Sequence, residues 1–283
     1  MTDAYEDILY TKHDRIVRIV LNRPKKLNAW TPAMEGSVRR AMTAAAADDA
    51  VRVIVVTGEG RGFCAGADMG LLEGLSSQAI DAQRVVGRGT QRPAGPASQL
   101  GPAVAAHYGG RFGYLMSVHK PIIAAINGPC AGIGLVFTLF CDIRFASAEA
   151  KFTTAFAQRG LIAEHGASWI LPRLIGPANA LDLLLSSRLV NGTEAERLGL
   201  VNRAFAHEHF MTDVIAYARQ LADSVSPRSM AVIKAQIWKS LFQDLGAALE
   251  VADHEMAKSF TSDDFKEGVA HFVEKRAPQF RGR

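Results

Sequence analysis

The chain has 283 residues, 48% hydrophobic and 21% charged, with 32 basic against 28 acidic side chains for a net charge of +4. That is an ordinary globular composition with material for a sizeable core, and it excludes a disordered segment, a collagen-like repeat or a disulfide scaffold. The charge excess is mild and no Lys/Arg run exceeds two residues, so no nucleic-acid partner is expected.

In chain order, Ile16–Leu21 reads as a strand, and Val51–Thr57, β-branched and nearly continuous, reads as a buried parallel strand. Between them Thr31 is the expected N-cap of a helix with Pro32 at its first position, which completes a βαβ unit. The segment 75–113 is rich in Gly and Pro and reads as an irregular insert. Pro121–Ile126 is a third strand, followed by a Gly-rich turn and an apolar helix to about Cys141. Asp142–Ala146 and Leu200–Phe205 add short strands. Beyond residue 206 the strands stop and four helices are predicted: Met211–Leu221, Pro227–Phe242, Leu245–Phe260 and Asp264–Lys275. The alternation indicates an α/β class with a parallel sheet over 1–205 and a helical region over 206–283.

The longest apolar run, Pro121–Phe140, is interrupted by Asn127, Gly128, Pro129, Gly132 and Gly134, so no membrane span is expected. The first residues are acidic and lack an apolar signal segment, which sets a cytoplasmic expectation. Cys64, Cys130 and Cys141 form no CxxC pair and are expected to be reduced thiols. His207 and His209 lack the HExxH spacing, so no metal is expected.

Two turns carry the most chemical information, Gly60–Met69 after the second strand and Asn127–Gly134 after the third. Each places small residues at a strand's carboxyl end, where α/β sheets bind ligands. One reading is tight corners with packed glycines. The other is an oxyanion hole, with one N–H from each turn directed at a single oxygen. A phosphate cradle has no GxxxxGK[ST] to support it.

The segments Phe63-Cys-Ala-Gly-Ala-Asp-Met69, Pro121-Ile-Ile-Ala-Ala-Ile-Asn-Gly-Pro129 and Cys141-Asp142 resemble the crotonase (enoyl-CoA hydratase/isomerase) superfamily. So do Leu21–Ala29, Leu171–Gly176, Glu194–Asn202 and Glu274–Pro278, all in family order. The resemblance implies a crotonase-like spiral of ββα units and a C-terminal helical trimerisation region. It also implies homotrimers or hexamers, an acyl-CoA substrate, and no cofactor beyond the coenzyme A of that substrate. It assigns the oxyanion donors to the backbone N–H groups of Ala65 and Ile133. It places Lys26, Leu27, Ala29, Ala67, Asp68 and Met69 along the CoA moiety, with Phe272 and Lys275 reaching it from the C-terminal region.

Classical hydratases carry two glutamates around a water, and the matching positions here are Val136 and Phe156, neither of which can activate water. The remaining carboxylate is Glu164, in a segment that resembles the acid/base position of Δ3,Δ2-enoyl-CoA isomerases. One carboxylate suffices for a 1,3-proton shift, and an apolar wall of Val136, Phe156 and Trp169 is expected to raise its pKa and form the acyl pocket. Its neighbour His165 is expected to point elsewhere and serve the rim. Asp68 is expected to cap the next helix, and His107 and His119 to lie at the surface. The favoured reaction is enoyl-CoA double-bond isomerisation. Hydration of a 2-enoyl-CoA is the alternative, and a catalytically silent CoA-thioester-binding scaffold the third reading. The insert at 75–113 is expected to shape the acyl pocket.

Overall fold

The computed structural model describes residues 5–70, 73 and 110–283. In chain order the elements are β1 (Ile8–His13), β2 (Ile16–Leu21), α1 (Pro32–Ala47), β3 (Val53–Gly58), α2 (Tyr114–Ser117), β4 (Ile122–Ile126), β5 (Cys130–Ala131), α3 (Ile133–Leu139), β6 (Ile143–Ser147) and β7 (Lys151–Thr153). They continue with α4 (Ala167–Ser186), β8 (Val190–Asn191), α5 (Gly192–Arg197), β9 (Arg203–Phe205), α6 (Phe210–Ser224), α7 (Pro227–Ser240), α8 (Leu245–Thr261) and α9 (Asp263–Glu274).

The main sheet runs β1-β2-β3-β4-β6-β9, antiparallel only between β1 and β2. Every residue of β3 and β4 is buried, as a parallel sheet covered on both faces requires. One face takes α1 through Met34, Val38, Ala41, Met42 and Ala45. The start of that helix follows its sequence: the Thr31 side chain accepts from the Met34 N–H and Pro32 occupies the first turn. The other face takes α6, whose Phe210, Val214, Ala218 and Ala222 recur every four residues and pack on Val53, Val55, Ile123 and Phe145. A second, three-stranded sheet, β5-β7-β8, closes over the carboxyl end of the first.

All five expected strands and all four expected C-terminal helices form, with no end shifted by more than three residues. The helix after the second turn stops at Leu139, two residues before Cys141. The helical region beyond 206 includes α6, which completes the burial of the sheet, so the first of those helices packs as part of the α/β layer. β1 and the small sheet have no counterpart in the sequence reading. Of the insert at 75–113, residues 75–109 lie outside the described residues, as does His107; residues 110–113 lead into α2. Among the described residues no helix is long and apolar enough to cross a membrane.

Candidate active site

The two turns are stitched into one floor by the half-buried Asn127, the buried Asn28 and a short main-chain bridge. Asn127 donates to Gly58 O (3.0 Å) and Gly60 O (2.9 Å) and accepts from Gly58 N (3.2 Å), tying the second turn to the end of β3. Asn28, fully buried with a left-handed φ of +56°, donates to Glu59 O (2.9 Å) and Gly62 O (2.8 Å), tying in the segment before α1. Cys64 N–H donates to Pro129 O (3.0 Å) and Ala131 N–H to Cys64 O (2.9 Å), so the turns run side by side. The approach is close enough to demand glycine at 134. A Cβ there would lie 2.6 Å from Cys64 Cβ and 2.7 Å from Cys64 O. Gly134→Ala is therefore expected to lower stability by about 1–3 kcal/mol, read from the denaturant midpoint.

The direction of each amide in the first turn is fixed by this packing. Ala65 N–H donates to Leu27 O at 3.0 Å, so it is already spent, and the expected role of Ala65 as an oxyanion donor is corrected on that ground. Trp30 N–H donates to Gly66 O (2.8 Å) and Asp68 N–H to Trp30 O (3.1 Å), a parallel bridge centred on Ala67. The residue at the centre of such a bridge turns its own N–H away from the partner strand. Among the described residues the Ala67 N–H meets no acceptor. Ile133 opens α3, and its N–H, like any in a first helical turn, has no acceptor within the helix. The neighbouring Gly132 backs onto Gly66, where a Cβ on Gly132 would come within 3.9 Å of Gly66 Cα. Ala67 and Ile133 thus contribute free amides from adjoining turns.

Glu164 lies on the loop between β7 and α4, and its carbonyl accepts from Ala167 N (2.9 Å). Its side chain is 34% exposed. Burial pushes its carboxyl pKa above the ordinary value, and the positive charge of Arg111 opposes that rise. His165 does not point away as expected. Its φ of +55° and the +86° of Gly166 fold the chain back, leaving His165 Nε2 3.7 Å from Glu164 Oε2. Arg111 Nη1 lies 3.2 Å from the same His165 nitrogen, while Arg111 Nε donates to Glu35 Oε2 at 2.6 Å. Val136 and Phe156 are buried in the apolar core. Trp169 stacks on Phe242 at 5.5 Å and lies under the Arg173 guanidinium.

Asp68 accepts from Gly70 N (3.1 Å), as a cap would, and pairs with Arg23 at 2.9 Å, which holds its carboxyl below the ordinary pKa. Lys26 and Met69 are exposed on the same rim, Leu27 and Ala29 half-buried between them; Phe272 and Lys275 are exposed at the end of α9. The three cysteines are buried free thiols, and burial pushes Cys64 up to about 12, which keeps it protonated and unsuited to nucleophilic attack. Among the described residues no group of three His, Cys, Asp or Glu could hold a metal. A cavity of about 1170 Å³ opens at the opposite end of the sheet between α7, α8 and residues 278–283, away from Glu164. Arg23, Glu35, Arg111 and the two asparagines were not singled out from sequence; their partners lie up to 76 residues away.

The fold is that of the crotonase architecture. The structure superposes on enoyl-CoA hydratase subunit I from Geobacillus kaustophilus HTA426 with a TM-score of 0.84 at 31% identity, covering 99% of both chains. The chain belongs to the enoyl-CoA hydratase/isomerase family, whose model matches residues 11–90 and 103–283. It is 32% identical to the 1,2-epoxyphenylacetyl-CoA isomerase of Escherichia coli K12, over 98% of this chain and 99% of that protein. It is 31% identical to the crotonyl-CoA hydratase of Syntrophomonas wolfei, over 98% of both. Similarity to an isomerase and a hydratase is thus nearly equal, and the reaction has to be argued from side chains.

Proposed function

We propose that this protein is an acyl-CoA enzyme that converts 3-enoyl-CoA to 2-enoyl-CoA, with Glu164 as the proton shuttle. The observation that carries this reading is that Glu164 is a half-buried carboxylate, while Val136 and Phe156, which the sequence resemblance matches to a hydratase's carboxylate pair, are buried apolar side chains. In the proposed reaction the Glu164 carboxylate takes a proton from C2 and the electrons move onto the thioester oxygen. The resulting dienolate then takes the same proton back at C4, leaving the double bond between C2 and C3. The Ala67 and Ile133 amides are the donors to that oxygen, each contributing about 3–4 kcal/mol as charge develops. Desolvation makes Glu164 a stronger base than a solvated carboxylate, which suits a weakly acidic carbon. Lys26, Leu27, Ala29, Asp68 and Met69 form the rim on which the CoA moiety would lie.

We also propose that Phe272 and Lys275 act from a neighbouring subunit. Phe265, Val269, Phe272 and Val273 form an exposed apolar stripe on α9, and Leu245 and Leu249 are exposed on α8. Light scattering on the purified protein is expected to return three or six times the chain mass; a monomer would count against this.

The test of the reaction is incubation with 3-enoyl- and 2-enoyl-CoA thioesters. A conjugated 2-enoyl product from the 3-enoyl substrate is expected. A 3-hydroxyacyl-CoA formed from 2-enoyl-CoA at a comparable rate would favour hydration. Binding of CoA thioesters without turnover would favour the silent scaffold.

A further inference from the structure

Behind Glu164 stands a chain of polar side chains that the proton shuttle itself does not use. Trp30 Nε1 donates to Glu35 Oε2 (3.3 Å), which takes Arg111 Nε (2.6 Å), and Arg111 Nη1 meets His165 Nε2 (3.2 Å). All of it is at least half-buried, and Phe112, next to Arg111, packs edge-on against both Trp30 and His165. A guanidinium has donors and no acceptor, so the His165 nitrogen facing it must accept, and the ring's proton must sit on Nδ1.

We propose that Arg111 is a positioning residue: clamped by Glu35, it fixes the His165 ring with an unprotonated Nε2 beside Glu164 and so keeps Glu164 as the only proton-exchanging group there. The inference rests on the reading of Glu164 as the proton shuttle. His165 Nε2 is 3.7 Å from Glu164 Oε2, and a proton on that nitrogen would make an imidazolium–carboxylate pair. Such a pair would hold Glu164 ionised and hydrogen-bonded, which weakens it as a base. Arg111 prevents this twice over, by occupying the nitrogen's lone pair and by repelling a second positive charge. It also requires the left-handed backbone at His165, a conformation that costs a non-glycine residue about 1–2 kcal/mol and that the clamp helps to hold. The remaining charged side chains of this loop and helix are engaged elsewhere: Arg159 donates to Ala155 O (2.8 Å), Arg173 donates to Trp169 O (2.7 Å), and Asp182 accepts from Arg188 Nε (2.8 Å).

The test is nitrogen NMR of the full-length protein, with the His165 signals assigned from a His165→Asn variant. Wild type is expected to show the Nδ1–H tautomer, unprotonated at Nε2, from pH 6 to 8. Arg111→Gln is expected to let the ring take up a second proton in the ordinary histidine range. In the same variant kcat should fall about 10- to 100-fold with KM nearly unchanged, as for a misplaced catalytic group. Arg111→Lys should recover the charge without the fork that spans Glu35 and His165, and so only part of the rate. Glu35→Gln should shift both readouts the same way by less, and stands in if Arg111→Gln does not fold. A wild-type ring protonated at Nε2, or a tautomer and rate unmoved by both Arg111→Gln and Glu35→Gln, would overturn the proposal. If Glu164→Gln retains turnover, the shuttle assignment fails instead, and the tautomer measurement still decides the Arg111–His165 link.

Discussion

Glu164→Gln is expected to lower kcat on 3-enoyl-CoA by about 10³-fold, within the range a positioned acid/base group contributes. Glutamine keeps the shape of the side chain, so KM should change little. The pH dependence gives a second handle. The active base is the carboxylate, and burial raises its pKa above the ordinary value. The rate should therefore fall as pH drops through that raised pKa, and the residual rate of the variant should lack this limb. Stability moves the other way. A carboxyl that binds its proton more tightly in the folded state than in the unfolded chain weakens the fold where it is ionised, and that penalty disappears as pH falls through the folded pKa. Removing the charge should leave the melting temperature at pH 7 unchanged or slightly higher. Near-wild-type turnover in the variant would remove Glu164 from the mechanism, and a large drop in melting temperature would assign it to the scaffold.

How far the sequence speaks depends on how local the cause is. Strands such as Ile16–Leu21 and helices such as Leu245–Thr261 follow from periodicity and caps within their own span. β1 escapes because it is a half-exposed edge strand with little alternation, and β5 and β8 because two residues carry no period. At the site, the two turns are legible as glycine-rich strand ends, but the choice of amide is not. Whether Ala65 or Ala67 is free depends on Leu27 and Trp30, more than 35 residues upstream, which take opposite sides of the turn. His165 was expected to point away from Glu164 because neighbours in regular structure do; two successive left-handed residues reverse that. Arg111 sits at the end of a segment with no readable pattern, and its contacts with Glu35 and His165 are what give it a role.

Asp142→Ala is expected to cost about 3–5 kcal/mol of folding stability, the range for breaking a buried ion pair from one side. Asp142 precedes β6 and joins three elements. Its Oδ2 takes Lys234 Nζ (2.6 Å) from α7 and Ile122 N (2.7 Å) at the start of β4, and its Oδ1 takes Trp238 Nε1 (2.9 Å). Lys234 is 6% exposed and Asp142 15%, so water cannot replace these partners. Alanine would strand an ammonium, an indole N–H and a main-chain N–H together. Lys234→Met should cost less, because the carboxylate would keep two donors. The double variant Asp142→Leu/Lys234→Met is expected to recover part of the Asp142→Ala loss, since no charge is then left buried alone. The measurement is a urea unfolding series on all three variants. If Asp142→Ala lost under about 1 kcal/mol, the cost of a surface substitution, the carboxylate would not be what docks α7 onto the sheet. The effect should also reach the site indirectly, because Asp142 fixes the start of β4, the strand whose far end delivers Asn127 and the turn that leads to Ile133.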